Sequence, residues 1–339
     1  MRDGGAQLTD RTSASGGPGS DGPLVAALAE VMSHQQHQQL AELNRGRLDP
    51  RFPELDWRAD VDAEHALRVL EGEVLERERC VIAARAQGAP TDPDGFVAWF
   101  AELEASGPGQ HDALFPWLAT TARVEQMRWF LRQEVAGEAG FEDLVALAQL
   151  RLADQPKLEL ARNYWDEMGR GNAGGMHGPM LARLAKAVDL AELEATVPVV
   201  WESVALGNIM LGLAANRRYA YHALGALGAI ELTAPGRAAL VNQGLKRLQI
   251  APQARHYFAL HATLDIKHSA AWNQEVLRPV VAAEPRAAAA IAEGALLRLE
   301  AGRRCFARYR AELGVDQSQP RRVSSASPVV RSAVPMSLR

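Results

Sequence analysis

The chain has 339 residues, a formal net charge of −4 and an apolar content of 47%. A net acidic chain argues against a general nucleic-acid binder, which carries a basic face, and the apolar share is ample for one principal core. Its two cysteines, Cys80 and Cys305, lie far apart and outside any C-x-x-C pattern, so no disulfide framework is expected and a reducing, cytoplasmic setting is.

Residues 1–22, which begin MRDGGAQLTDRTSASGGPGS, contain no apolar signal-peptide core and read as a disordered lead of Gly, Ser and Asp. Helical periodicity then predicts helices over 23–44, 61–87, 93–105, 121–138, 141–153, 156–169, 178–195, 198–229, 235–249, 252–281 and 284–312. No run alternates apolar and polar residues long enough to be a strand, so the fold class is all-α. A single helical domain is expected over 23–312, with a disordered Ser-, Pro- and Arg-rich tail over 313–339. Residues 1–90 hold extra helices, expected either to cap the bundle or to form a homodimer contact. Val204–Ala215 is the most apolar long stretch, yet it is too short to span a bilayer and reads as a buried core helix.

Three segments carry candidate chemistry. In the first, residues 127–148 (MRWFLRQEVAGEAGFEDLVALA), Phe130, Phe141, Val145 and Ala148 mark an apolar face at helical spacing. Glu134 and Glu138 fall on the same stripe, with Gly137 between them. Carboxylates on a core-facing stripe are expensive to bury unless paired or bound to metal. An interrupted amphipathic helix with glutamates at its edge fits the same residues.

In the second, residues 157–184 (KLELARNYWDEMGRGNAGGMHGPMLARL), Glu167 and His177 stand ten positions apart across four glycines. A continuous helix would separate them by about 15 Å. A break at the glycines lets both side chains converge. The bland alternative is a helix end with a surface Glu167, followed by a helix start near His177.

The third, residues 257–268 (YFALHATLDIKH), has His261, Asp265 and His268 at i, i+4 and i+7. Those positions share one helical stripe, with the imidazoles roughly 10 Å apart along the axis and the carboxylate between them. One carboxylate flanked by two imidazoles suits a pair of metal ions, and the mixed donors favour iron, manganese or zinc over calcium or magnesium.

Together these segments resemble the haem-oxygenase-like dimetal oxidases, the iron-containing redox enzyme family. FLRQE ending at Glu134, NYWDEMGRGNAGGMH with Glu167 and His177, and YFALHATLDIKH with its His, Asp and His occur in the family's order, over about residues 95–310. The resemblance implies a haem-oxygenase-like helical bundle that binds no haem, two Fe(II) ions (manganese being equally compatible) and O2 as co-substrate. It implies metal ligands at Glu134, Glu167, His177, His261, Asp265 and His268, with Glu138 as the alternative to Glu134. The substrate would be a small molecule such as an amine, amino acid or fatty acid, undergoing N-oxygenation, desaturation or carbon–carbon cleavage. No nucleic-acid or membrane partner is expected. Two other readings keep the helices: a metal-free, thiaminase-like enzyme, and a non-catalytic helical partner-binding protein.

Several neighbours of the proposed ligands fit more than one role. Asp166 and Asn163 are placed to orient ligand imidazoles. Tyr164, Trp165 and Trp272 suit either a pocket wall or the core. Arg162, Arg170 and Arg278 suit either a substrate carboxylate or the surface.

Overall fold

A computed structural model describes residues 22–53 and 56–317, with side chains from residue 32 onward. Its contacts divide the chain into two compact units, Met1–Cys80 and Val81–Arg339. The expected disordered ends lie almost wholly outside the described residues.

The first unit contains α1 (Gly22–Leu48) and most of α2 (Trp57–Ala86). Leu40, Leu67 and Val74 form its small buried cluster. Beside them the buried Glu71 carboxylate accepts from Arg47 at 2.8 Å and from Arg68 at 2.9 Å. Two guanidiniums thus offset the cost of desolvating that acid.

The second unit begins with α3 (Pro93–Ser106). Asp92 caps this helix through a 2.7 Å bond from the Gly95 amide, with proline at the first helical position. Then follow α4 (Leu114–Thr120), α5 (Val124–Gly137), α6 (Phe141–Ala148), α7 (Asp154–Glu167), α8 (His177–Ala187) and α9 (Trp201–Ala215). The chain ends with α10 (Ala220–Arg247), α11 (His256–Ala271), a π-helical turn at Trp272–Leu277, α12 (Arg278–Ala283) and α13 (Ala287–Leu313). Among the described residues there is no strand, only an isolated bridge between Met168 and Met176.

α10 is the centre of this bundle and packs most extensively against α13 and α11. Glycines set how close the helices come. A Cβ at Gly225 would overlap the Ile291 carbonyl, and one at Gly294 would overlap the His222 carbonyl. The α10 and α13 backbones therefore touch there, at a separation only glycine permits. Phe115, Phe130, Phe306 and Tyr309 fill one side of the core in edge-on contacts, with ring centroids 4.9 to 6.4 Å apart.

The predicted helices are present, with different breaks. The one expected over 198–229 ends instead at Asn216, whose side chain accepts from the Arg218 amide at 3.1 Å. That local bond gives the backbone an alternative to the helical ladder. The break expected before 235 is absent, because α10 continues through Pro235. Proline inside a helix costs about 3 kcal/mol, and the extensive packing of α10 outweighs it. α4, at seven residues, is too short to register a helical period.

Candidate metal centre

Two histidines of α11 present their imidazoles in opposite senses. His261 Nδ1 lies 2.7 Å from the Tyr257 carbonyl one turn earlier, so this nitrogen carries the proton and donates. Its Nε2 is left facing Glu167 Oε2 at 3.7 Å. His268 is anchored at Nε2, 3.2 Å from Asp166 Oδ2, and turns Nδ1 towards Glu167 Oε1 at 3.6 Å and Glu231 Oε2 at 3.4 Å. In each ring the outer nitrogen is held and the inner one points at carboxylates.

Glu167, the last residue of α7, stands between these rings. His177, the first residue of α8, places Nδ1 at 3.0 Å from Glu167 Oε2. Its Nε2 faces the Tyr257 phenol at 3.1 Å and Glu138 Oε2 at 3.5 Å. The glycine loop brings these helix ends together. Gly169, Arg170 and Gly171 all adopt positive φ, of 60°, 53° and 83°, and Met168 pairs with Met176. Asn172 accepts from the Gly174 amide at 3.0 Å, while Arg183 donates to the Gly174 carbonyl at 2.5 Å.

Two groups of donors result, each with ligand atoms within 4.8 Å of one another: Glu167, His177 and His261, and Glu167, Glu231 and His268. They share Glu167. Asp265, between the two α11 histidines, is buried with Oδ1 lacking any hydrogen-bond partner. Donors held at about 2.1 Å from one cation at octahedral to tetrahedral angles stand about 3.0–3.4 Å from each other, which is close to the separations seen here. A buried carboxylate oxygen without a hydrogen-bond partner, beside imidazole nitrogens aimed at other carboxylates, is an arrangement that needs protons or a cation to balance it.

The electrostatics agree. Burial pushes Asp265 up to about 8, with the Glu231 charge adding to the rise. Burial lowers His268, but Glu231, Asp166 and Glu167 together outweigh it and carry it up to about 9. Burial alone would raise Glu167, yet its hydrogen bond to His177 and the nearby His261 imidazole hold it far below the carboxylate range. His177 is raised despite its burial, through Glu138 and Glu167. Without a cation, the cluster balances its charge by keeping protons on the imidazoles and on Asp265.

Of the residues picked from sequence, Glu167, His177, His261, Asp265 and His268 converge. Glu134 is in neither donor group; Arg298, Arg237, Glu138 and Tyr309 are its electrostatic neighbours, and burial raises it to about 7. Glu138, which follows the last residue of α5, is the glutamate that meets His177. Its carboxylate also accepts from the Phe141 amide at 3.0 Å, and despite burial the His177 charge holds it below the usual range. Glu231 was not picked. Its signal was a single carboxylate inside the otherwise uncharged run AYHALGALGAIELTAPG.

Asp166 holds an imidazole, as expected, whereas Asn163 donates to the Glu231 carboxylate at 2.5 Å rather than to a ring. Trp272 belongs to the core, its indole nitrogen donating to the Leu224 carbonyl at 3.1 Å, while Trp165 is exposed. Arg162, Arg170 and Arg278 pair with Glu159, Asp166 and Asp94 at 2.5 to 2.8 Å, so they are not the cations of a pocket. That role falls to Arg237 and Arg298. With Glu134, Glu138, Tyr257, His261 and Asp265, they line a cavity of about 150 Å³ beside the donor cluster.

An all-α bundle whose facing helices project buried imidazoles and carboxylates to one point has the donor architecture of metal-binding helical bundles. Residues 128–303, from α5 into α13, match the model of a family described as iron-containing redox enzyme. The chain belongs to that family. Among solved structures it is similar to a CADD-like protein of unknown function from Nostoc punctiforme. The likeness is 22% identity and a TM-score of 0.50, over 63% of this chain and 95% of that one. A second structure of that protein gives 22% identity and a TM-score of 0.48, over 63% and 93%. No curated protein matches the chain. Among the described residues, no helix is long and apolar enough to cross a membrane.

Proposed function

We propose that this protein is a non-haem dimetal oxidase or oxygenase that uses O2 to oxidise a small organic substrate. The observation that carries the reading is the paired orientation of His261 and His268. Each ring spends its outer nitrogen on a protein acceptor and presents its inner nitrogen to a shared carboxylate. Fixing the far nitrogen in this way selects the tautomer that a metal ligand needs.

In this reading Glu167, His177 and His261 hold one ion and Glu167, Glu231 and His268 hold the other. Asp265 lies between the α11 ligands and Glu138 beside His177. Imidazoles mixed with carboxylates suit iron, with manganese compatible. When bound, two ferrous ions supply the electrons and Lewis acidity that O2 chemistry requires. The remaining work falls to the chain. The Tyr257 carbonyl and Asp166 fix the two α11 rings, Asn163 aims Glu231, and the Tyr257 phenol meets His177. The adjoining cavity admits substrate to the face formed by Glu138, His261 and Asp265. The family resemblance leaves N-oxygenation, desaturation and carbon–carbon cleavage open as outcomes. Cys80 and Cys305 are both free thiols, which fits a cytoplasmic setting.

The test is iron content after anaerobic Fe(II) loading and desalting, for the wild type and a His261→Ala, His268→Ala double variant. About two irons per chain in the wild type and a loss in the variant are expected. O2 consumption by the loaded protein should exceed that of the metal-free form. No bound iron in the wild type would overturn the reading.

A further inference from the structure

We infer that the cavity beside the donor cluster is a recognition site for a small carboxylic acid, whose carboxylate is bound by Arg298 and Arg237. The substrate's remainder would then point at the face formed by Glu138, His261 and Asp265. This assigns a substrate class and an anchoring pair within the proposed oxidase reading.

The argument begins with charge. Two guanidiniums line one partly open, mostly apolar space, and among the described residues neither takes part in an ion pair. Arg237 donates only to the neutral Thr233 hydroxyl, at 3.0 Å. Its guanidinium also lies 5.9 and 5.5 Å from the ring centroids of Phe115 and Phe306. Arg298 Nε is buried with no hydrogen-bond partner. Desolvated cations are costly unless an anion meets them.

The carboxylates already present do not balance the pair. Glu138 is engaged by His177 and by the Phe141 amide. Glu134 acts electrostatically on both arginines and Glu138 on Arg298 as well, yet among the described residues neither glutamate forms an ion pair with either guanidinium. Burial, and then the Arg298 charge, lowers Arg237 to about 9, in keeping with two neighbouring cations that lack a paired anion. An incoming carboxylate would restore balance, and guanidinium geometry suits it, because a planar fork can bind both oxygens at once.

Size narrows the class. The cavity is about 150 Å³, comparable to the apolar cavity of roughly that volume in another protein that binds benzene. It therefore takes an acid of roughly ten non-hydrogen atoms or fewer, the scale of an amino acid, and not a long-chain fatty acid. Within the three substrate types the family resemblance offers, this favours the amino acid. The apolar wall, with Phe115, Phe258 and Phe306 among its residues, would cover the hydrophobic part of such a molecule.

The probes are benzoate, its neutral isostere benzamide, and dodecanoate, titrated calorimetrically into metal-free and manganese-loaded protein. Benzoate should bind at least tenfold more tightly than benzamide in both forms. Arg298→Met and Arg237→Met should each cut that preference several-fold, with thermal melts confirming the fold. Arg298→Lys and Arg237→Lys, which keep the charge and lose the fork, should retain part of it. Equal affinity for benzoate and benzamide, or a preference that survives in both methionine variants, would overturn the assignment. A preference seen only with metal bound would do the same, because the ion would then be the anion site. Dodecanoate binding as tightly as benzoate would overturn the size limit. Because the metal-free arm needs no iron, failure here is separable from failure of the dimetal reading, which iron content decides.

Discussion

Glu231 Oε2 lies 3.4 Å from Nδ1 of His268, and this pairing supplies the candidate site with its second group of donors. Without Glu231, Nδ1 of His268 would face Glu167 as its one glutamate. With it, two groups share Glu167 as the common residue. Replacing Glu231 with Gln preserves its volume and removes its charge. Iron content is expected to fall from about two to about one per chain, since the His177 and His261 side is intact. Unchanged stoichiometry would show that Glu231 only neutralises the imidazole.

Glu134 and Glu138 give a second contrast. Only Glu138 meets His177, so Glu138→Gln is expected to weaken metal binding roughly tenfold or more, in the range seen when supporting groups of metal sites are removed. Glu134→Gln should leave iron content unchanged. Equal losses in both variants would place Glu134 in the metal site as well.

That contrast shows what the sequence could carry. Helical spacing placed His261, Asp265 and His268 on one face, because α11 is unbroken across them. Four glycines announced the turn that joins Glu167 to His177. Nothing in a stripe argument could choose between Glu134 and Glu138, since α5 ends at Gly137 and Glu138 leaves the helix with ψ of 124°. Its side-chain direction follows from how the helix terminates, which periodicity does not encode. Glu231 stood alone in an apolar helix, and its relation to His268 exists only once α10 packs on α11. The cavity arginines were hidden for the same reason. Arg237 and Arg298 come from α10 and α13, and only the glycine-mediated approach of those helices brings them together.

Protonation makes metal binding pH-dependent. In the metal-free protein Asp265 titrates near 8 and His268 near 9, so at neutral pH a metal must displace protons from both. Apparent Mn(II) affinity should therefore rise as pH passes through 8 and 9, with protons released on binding. The stability signs follow separately. His268, raised above its unfolded value, contributes stability that is fully present below about 6.5 and is lost as pH rises through about 9. Asp265 is an acid whose folded value is raised, so ionising it also disfavours the folded state as pH rises towards 8. Both act in one direction. The melting temperature of the metal-free protein should fall between about pH 7 and 9, and the metal-loaded protein should show a smaller fall. A metal-free melting temperature that is flat across that window would contradict this account.

Asp166 offers a test of imidazole orientation without touching the donors that face the cluster. It fixes His268 Nε2 at 3.2 Å and is itself held by Arg170 at 2.6 Å. Asp166→Asn keeps the shape and lets the amide present either oxygen or nitrogen to the ring. Metal affinity is expected to drop about 10- to 100-fold, as for other outer partners of ligand histidines, with little change in melting temperature for the metal-free protein. A variant that binds metal as tightly as the wild type would mean that packing alone orients His268.

The loop that closes Glu167 onto His177 depends on Gly169 more than on its neighbours. Gly169 has φ of 60°, and a Cβ there would stand 2.5 Å from the Gly175 carbonyl carbon and 2.8 Å from the Met176 nitrogen. Both obstacles are backbone, held by the pairing of Met168 with Met176, so neither can step aside without opening the loop. Gly171, with φ of 83°, would meet only the Trp165 ring at 3.1 Å, and that side chain is 53% exposed and able to move. The left-handed conformation alone costs a non-glycine residue about 1–2 kcal/mol, and both alanine variants bear it. Gly169→Ala adds a backbone collision that separates the ends of α7 and α8. Gly169→Ala is therefore expected to lose iron binding at the Glu167, His177 and His261 group, while Gly171→Ala keeps it and melts only slightly lower. Equal iron content in the two variants would show that loop closure does not control the distance between Glu167 and His177.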